Sequence, residues 1–405
     1  MKGLRLLRRV VDVRPDEVRA LIWSFLFFLF VLTSYYILRA VREERAVASG
    51  VASIPRLFGA TLLVTLAVTP LWAALVARVR RALLLPLAYR FFAINLIVFY
   101  VLFQREAWVL MASRMFFVWL SVYSLVAVAI FWSFMADLFK AEQSRRLFGF
   151  ISAGGSAGAI LGPLLTSLVV ERIDPATLLL VSAALIEGAA RCVRPLARWQ
   201  ESAAPAQATA PDQPIGGSAL AGVRMVFSSP YLLGIALYLA LATVTGTFGY
   251  VLQARLVAET TLSPGGRTAL FARMDLAANA LATVMQALLV GRLLTRAGVA
   301  TTIALAPPLM AASFAFQALS PGLGVSTLLQ VLRRALAFGI ITPALHVLFT
   351  VVDREQKYKS KAFIDTVVYR GGDWVGSAAV VALLDAGLGV GGASWAVMPV
   401  AGIWI

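Results

Sequence analysis

The chain has 405 residues, of which 60% are hydrophobic and 14% charged, and it carries a formal net charge of +16. Soluble domains are nearer half apolar and a quarter charged, so a mean hydropathy of +0.85 points to a polytopic membrane protein with the lipid bilayer as its solvent. A single cysteine, Cys192, excludes a disulfide framework and a zinc cluster, and a single histidine, His346, excludes a multi-histidine metal or haem site.

Twelve apolar segments follow in chain order, at 21–38, 57–77, 82–103, 107–137, 147–170, 175–193, 230–253, 268–290, 299–319, 323–350, 360–384 and 391–405. Most match the roughly 20 residues that a helix needs to cross a bilayer. The first is too long for a signal-peptide core and is expected to stay as an anchor. The last is short, and its helix is expected to be incomplete. Basic residues sit in short loops between these segments and form no separable basic domain, which argues against nucleic acid as a partner. Placing the amino terminus inside puts most of the 36 Lys and Arg in cytoplasmic segments, the usual topology bias. Arg39, Arg42, Arg45 and Arg56 are the external exceptions and cluster in one expected loop. No GxxxxGK[ST] loop, nucleophile–base pair or metal set is visible, so the sequence predicts neither an enzyme nor a cofactor.

Between the sixth and seventh segments lies WQESAAPAQATAPDQPIGGSA (199–219), a polar Ala/Pro/Gln/Gly stretch of linker composition. It predicts an N-terminal six-helix bundle over 1–195, a cytoplasmic linker over 196–219 and a C-terminal bundle over 220–405. The halves repeat. EQSRRLFGFI (142–151) aligns with EQKYKSKAFI (355–364) at an offset of 213. The same offset places RLFGATLL (56–63) on ALFARMDL (269–276), and FWSFMADLFKAEQ on ALHVLFTVVDREQ. Parallel six-helix repeats are the architecture of major facilitator transporters, whose site lies between the halves near the midplane. The predicted fold class is therefore an all-α integral membrane protein of major-facilitator type. GRLLTRAG (291–298) resembles that family's Gly/Arg-rich loop. Gly149, Gly158, Gly162 and Pro163 have a spacing similar to a facilitator-antiporter motif, or serve close helix packing through small residues.

SYYILRAVREE (34–44), FWSFMADLF (131–139), EQSRRLFGFISAGGSAGA (142–159) and KYKSKAFIDTVVYRGGD (357–373) together resemble the ATP/ADP translocase family, the nucleotide exchangers of plastids and intracellular bacteria with free-living bacterial relatives. The resemblance spans both halves. It implies a facilitator-type fold and antiport of nucleotides or related anions; the expected setting is a bacterial cytoplasmic membrane, and the expected state a monomer. Arg42 fills the place of the family's basic residue after ILR. The family's acid in span four falls near Leu120, and the stretch from Tyr231 to Gln253 has no charge where the exchangers have an acid and a lysine.

Ionisable residues inside a membrane helix cost ~2.5–3.5 kcal/mol each on insertion scales, so they pair or line a wet cavity. In span eleven Asp365, Tyr369 and Asp373 share a face by i, i+4 spacing, Arg370 lies within reach of Asp373, and Asp365 within reach of Lys361. Arg90 and Arg114 have no acid within a turn on their own helices. Arg333 and Arg334 diverge by about 100°, so at most one readily enters a cavity. Arg39 closes span one, where snorkelling is an alternative. Arg273 and Asp275 do not face each other, whereas Glu187 and Arg191 do. The spans hold more arginine than acid, and guanidinium forks suit phosphate and carboxylate oxygens.

The expected partner is therefore a small anion, a nucleotide by resemblance. Substrate-binding candidates are Arg39, Arg42, Arg90, Arg114, Arg333 and Arg370, and coupling or gating candidates are Asp137, Asp275, Asp365 and Asp373. Two alternatives stay open: a proton-coupled facilitator using Asp275 or Asp365, and a membrane protein that binds an anion without moving it. Accessibility tags in 199–219 and 140–146 should both report the cytoplasmic side, and tags in 254–266 the external side. An external linker would overturn the orientation.

Overall fold

The computed structural model describes residues 12–78, 81–203 and 219–404. Most of the predicted linker and the basic residues before position 12 lie outside them. Among the described residues the chain is helical, without strands. The first half holds α1 (Val18–Ala48), α2 (Ile54–Arg78), α3 (Arg81–Phe103), α4 (Glu106–Leu138), α5 (Ala141–Val169) and α6 (Thr177–Ala203). A short α7 (Ala219–Ser228) precedes α8 (Pro230–Ala258) and α9 (Pro264–Met285). Then follow α10 (Gly291–Arg296), α11 (Gly298–Ala304), α12 (Ala306–Leu319), α13 (Leu323–Leu336), α14 (Thr342–Leu348), α15 (Arg354–Phe363), α16 (Tyr369–Asp385), α17 (Val390–Ala396) and α18 (Met398–Trp404). Wide π-helical turns at Gln286–Val290, Ala337–Ile341 and Ile364–Val368 join α9 to α10, α13 to α14 and α15 to α16.

Among the described residues the predicted apolar segments lie mostly in helix, but ten helical stretches rather than twelve are long and apolar enough to cross a membrane, Thr177–Ala203 and the short Val390–Trp404 not being among them. One boundary differs in an instructive way. Span one was expected to close near Leu38, yet α1 runs on to Ala48. Arg39, Arg42 and Arg45 are therefore helical residues rather than members of an external loop. Polar composition looks like a loop in sequence, but these charges have partners on the helix and beside it, which removes the penalty for continuing.

The chain divides into two compact units. Unit 1 comprises Met1–Glu44, Val68–Ala210 and Leu262–Leu276; unit 2 comprises Arg45–Ala67, Pro211–Thr261 and Ala277–Ile405. Each unit thus takes one segment from the other half of the sequence. The two segments overlap when shifted by the 213-residue repeat offset, so both halves lend the same stretch of their repeat.

Hydrophobicity does not draw helices together inside lipid, so close packing and small residues must. In unit 1 the partner helices are α1 and α5. A Cβ on Gly154, Gly158 or Gly162 would sit 2.5–2.7 Å from the backbone oxygens of Phe25, Leu29 or Thr33. Gly149 meets nothing within 4 Å, so the packing role expected of this glycine series belongs to Gly158 and Gly162, joined by Gly154. Unit 2 repeats the device between α8 and α16. Cβ atoms at Gly372 and Gly376 would lie 2.9 Å from Thr243 Cβ and 2.7 Å from the Val244 oxygen. Around α1, Phe27 meets Tyr89 and Phe131 edge-on at 5.3 and 5.1 Å, and Phe28 stacks on Phe131 at 4.2 Å. Such pairs add about 0.5–1.5 kcal/mol each beyond burial.

The EQSRR block has a structural task. Gln143 Nε2 and Arg146 Nη2 donate to Glu17 Oε1 at 2.8 and 3.0 Å, while the Arg14 amide donates to Glu17 Oε2. Burial pushes the Glu17 carboxyl up, but these donors outweigh it and hold it below the usual glutamate value.

Gly158→Val should overpack the α1–α5 contact and lower stability by about 1–3 kcal/mol, seen as a lower melting temperature in detergent. Gly149→Val should leave the melt unchanged, and equal effects at both positions would contradict the packing assignment.

Candidate functional site

The final turns of α1 carry the densest set of buried charges. Arg39 and Glu43 are four residues apart on one face, with Nε 3.8 Å from Oε1. Arg39 Nε also lies 3.7 Å from Asp275 Oδ2 on α9. Their side chains are 15% (Arg39), 7% (Glu43) and 2% (Asp275) exposed. Arg42 pairs with Glu43 and lays its guanidinium over the Phe117 ring at 4.9 Å. Glu44, 1% exposed, takes Arg267 Nη2 at 3.2 Å, and Arg273 Nη2 reaches Glu171 at 2.8 Å. All these groups belong to unit 1, and the chain thereby joins the first repeat (α1) to the start of α9 in the second.

The geometry separates attraction from close hydrogen bonding. Two unit charges 4 Å apart attract by about 4 kcal/mol at an effective dielectric of 20. Yet Arg39 Nε stands beyond hydrogen-bond distance from both carboxylates, and among the described residues this nitrogen has no hydrogen-bond partner. Loose ion pairs of this kind can re-form with other partners at little cost in fixed geometry.

Unit 2 holds a second set. Arg370 Nη1 lies 3.4 Å from Asp373 Oδ2, and Thr247 Oγ1 donates to Asp373 Oδ1 at 2.8 Å. The Arg370–Asp373 pair anticipated from spacing is therefore present, with a threonine from the charge-free stretch 231–253 of α8 completing it. Arg333, at the end of α13, donates from Nε to Gln330 Oε1 at 2.8 Å. Its Nη1 lies 2.8 Å from where a Gly246 Cβ would be, so the glycine makes room for the guanidinium.

The remaining candidates lie apart from these sets or have other partners. Arg90 was expected to be an unpaired intramembrane charge. It is instead 45% exposed and bound to Glu187, Nε to Oε2 at 3.2 Å. Arg191 holds the same carboxylate at 3.0 Å. The partner comes from α6, packed alongside α3, and a search along α3 alone could not reveal it. Asp365 is exposed and clasped by Lys361 at 2.9 Å, as its spacing implied. Asp137 is exposed near the end of α4, where its backbone oxygen accepts from Gln200. Arg114 is partly buried on α4. Arg39 does not snorkel, because Glu43 and Asp275 supply charge at its own depth. Sequence reasoning missed Glu43, Glu44, Arg267, Gln330 and Thr247. A signal was available for the acids, since two consecutive glutamates one turn beyond Arg39 are costly on a helix without cationic partners.

No protein-family model matches the sequence, and no curated protein matches it. Solved structures do match in fold. A bacterial homologue of the iron transporter ferroportin in an inward-facing state is 13% identical, with 96% of this chain and 97% of that chain covered and a TM-score of 0.65. A nucleoside transporter is 14% identical with coverage of 95% and 97% and a TM-score of 0.65. A POT family transporter in complex with a thioalcohol-conjugated peptide is 12% identical with coverage of 97% and 96% and a TM-score of 0.66. The chain thus has the all-helical fold of major-facilitator-type transporters and is an integral membrane protein.

Removing one member of a buried pair costs about 3–5 kcal/mol, whereas replacing both is often nearly neutral. Asp275→Asn should therefore lower the melting temperature and folded yield, and Arg39→Gln/Asp275→Asn should recover much of the loss. An unchanged melt for Asp275→Asn would mean that the pair contributes nothing to the fold.

Proposed function

We propose that this chain is a secondary-active transporter that exchanges a small organic or phosphorylated anion across the membrane, its two six-helix halves alternating access to a central site. The observation that carries the reading is the buried set of Arg39, Arg42, Glu43 and Asp275, in which Arg39 reaches from α1 to Asp275 on α9 at 3.7 Å, longer than a hydrogen bond. Ionisable residues inside membrane helices are costly and mark functional sites by default, and an arginine held at ion-pair distance, as Arg39 is by Glu43 and Asp275, is suited to exchanging partners during a cycle. Here the exchange serves as the gate: an arriving anion takes over an arginine, and the released carboxylate lets the helices part.

The predominance of arginine in the spans supports an anionic substrate. Arg39 and Arg42 in unit 1, and Arg333 and Arg370 in unit 2, are the proposed ligands, with Arg114 a further candidate. Arg90, engaged by Glu187 at an exposed position, is left out. Asp275 and Asp373 are the proposed gating partners, and Asp137 and Asp365, both exposed, are left out. Among substrates, a nucleotide exchanged in the ATP/ADP manner follows from the sequence resemblance. Solved proteins of similar fold include a nucleoside transporter and a POT family transporter in complex with a thioalcohol-conjugated peptide, which accords with a small organic solute. The proposed setting is a bacterial cytoplasmic membrane, with a monomer whose amino terminus is inside.

A second reading is favoured by Asp275, buried to 2% exposure beside Arg39. In a proton-coupled facilitator that carboxylate would load and release the proton.

Counterflow in proteoliposomes separates the two. Exchange predicts uptake of a labelled nucleotide, phosphate ester or carboxylate only when unlabelled anion is trapped inside. Arg42→Gln should weaken that uptake roughly ten- to a hundredfold, the equivalent of one lost charged hydrogen bond of about 1.5–3 kcal/mol. Uptake that follows a pH gradient regardless of internal anion, and that Asp275→Asn abolishes, would establish the second reading instead.

A further inference from the structure

Unit 2 contains a cavity of about 470 Å³, inside the ~300–1,000 Å³ range of small-molecule sites. Ala242 of α8, Met285 of α9, Leu309 and Met310 of α12, and Trp404 of α18 contribute to a wall that is almost entirely hydrocarbon. Among the described residues, Arg333 is the one charged side chain on it. A wall of this kind offers nothing to the sugar, base or several phosphates of a nucleotide. It fits a ligand with a long apolar body and a single anionic end.

The arginine is seated rather than stray. Gln330, 4% exposed, accepts from its guanidinium and orients it without bringing a charge of its own. Gly246 leaves space for Nη1, and Gly249 lies 3.5 Å from the Gln330 amide when given a Cβ. Two glycines of α8 therefore face one polar pair of α13. A larger residue at position 246 would drive the guanidinium away.

Depth decides which anion can reach it. Arg333 is the eleventh residue of α13, roughly 15 Å along the helix at 1.5 Å per residue, about half of a ~30 Å hydrocarbon core. The phosphate of a bilayer phospholipid stays at the interface and does not descend that far. A free single-chain molecule, entering between helices past the half-exposed Leu309 and Leu332, can.

We propose that this cavity binds a single-chain anionic amphiphile, a fatty-acid-type carboxylate or an alkyl phosphate, with its head on Arg333 and its chain along α12 towards Trp404. This site shares Arg333 with the ligand set proposed above but rests on the cavity rather than on exchange, and counterflow of hydrophilic anions is scored separately, so that the two readings can fail separately.

Trp404 supplies the probe. The purified full chain in nanodiscs of zwitterionic lipid is titrated with brominated dodecanoate, dodecyl phosphate, dodecanol and dodecylamine, and tryptophan quenching is followed. The chain has nine tryptophans, so the signal is taken as the difference from Trp404→Phe. The two anions should quench at concentrations at least tenfold lower than the alcohol, and the amine should be weakest. Arg333→Gln should erase the preference for anions while chain binding persists, and Arg333→Lys should retain part of it. Ala312→Phe, which fills the cavity, should remove saturable quenching altogether. If Arg333→Gln does not fold, the head-group series on the native protein still decides. Equal quenching by alcohol and anion would overturn the proposal, showing an apolar groove filled by any chain. So would an anion preference that survives in Arg333→Gln.

Discussion

A charge placed inside a bilayer must be answered by an opposite charge or a polar partner at the same depth, and this requirement shapes the molecule more than any apolar contact. Asp275 finds Arg39, Glu44 finds Arg267, Glu187 finds Arg90 and Arg191, and Asp373 finds Arg370 and Thr247. Most of these bonds cross between helices. They fix rotation and depth, which greasy surfaces in a greasy solvent leave nearly free. The extension of α1 to Ala48 follows from the same rule, because its last turns are tolerable only while Glu43, Glu44 and the neighbouring arginines cover one another.

Once charges set depth, glycines set distance. The α1–α5 and α8–α16 contacts both bring backbone against backbone, and both bear the charged residues of the candidate site on the same helices. Gly372 and Gly376 flank Asp373, and Gly158 and Gly162 face the turns of α1 that lead to Arg39. Close backbone approach shortens the reach required of the ionic side chains. A bulky residue at these glycines would therefore disturb the electrostatics as well as the packing.

Composition and apolar period revealed the fold class and the position of the long apolar helices, because about 20 apolar residues in a row have few alternatives to a spanning helix, whereas the short α7 was not foreseen. Same-helix pairs were legible too: Lys361–Asp365, Arg370–Asp373 and Glu187–Arg191 follow from the 3.6-residue turn. Partners on other helices were not. Nothing in the neighbourhood of Arg90 on α3 points to Glu187, and nothing near Asp275 on α9 points to Arg39. Spacing also gave no warning that the charge-free stretch 231–253 of α8 would contribute Thr247 and the glycines beside Arg333. Such contacts depend on helix rotation, which a single sequence encodes only through the packing it produces.

The repeat offset meets the π-helical turns in an unexpected way. Shifted by 213, the end of α4 at Leu138 falls on Val351, where the helical run through α14 stops, and the start of α5 at Ala141 falls on Arg354, the start of α15. Between α2 and that point the boundaries drift: Arg78 maps to position 291 although the helix continues to Arg296, and Glu106 maps to position 319 although α13 begins at Leu323. The widened turns at Gln286–Val290 and Ala337–Ile341 lie in this drifting interval. If the halves descend from a duplicated gene, insertions within helices of one copy were offset by shortening elsewhere in the same interval. What ancestry preserved was then the total length between the two ends, while individual helices were free to slide.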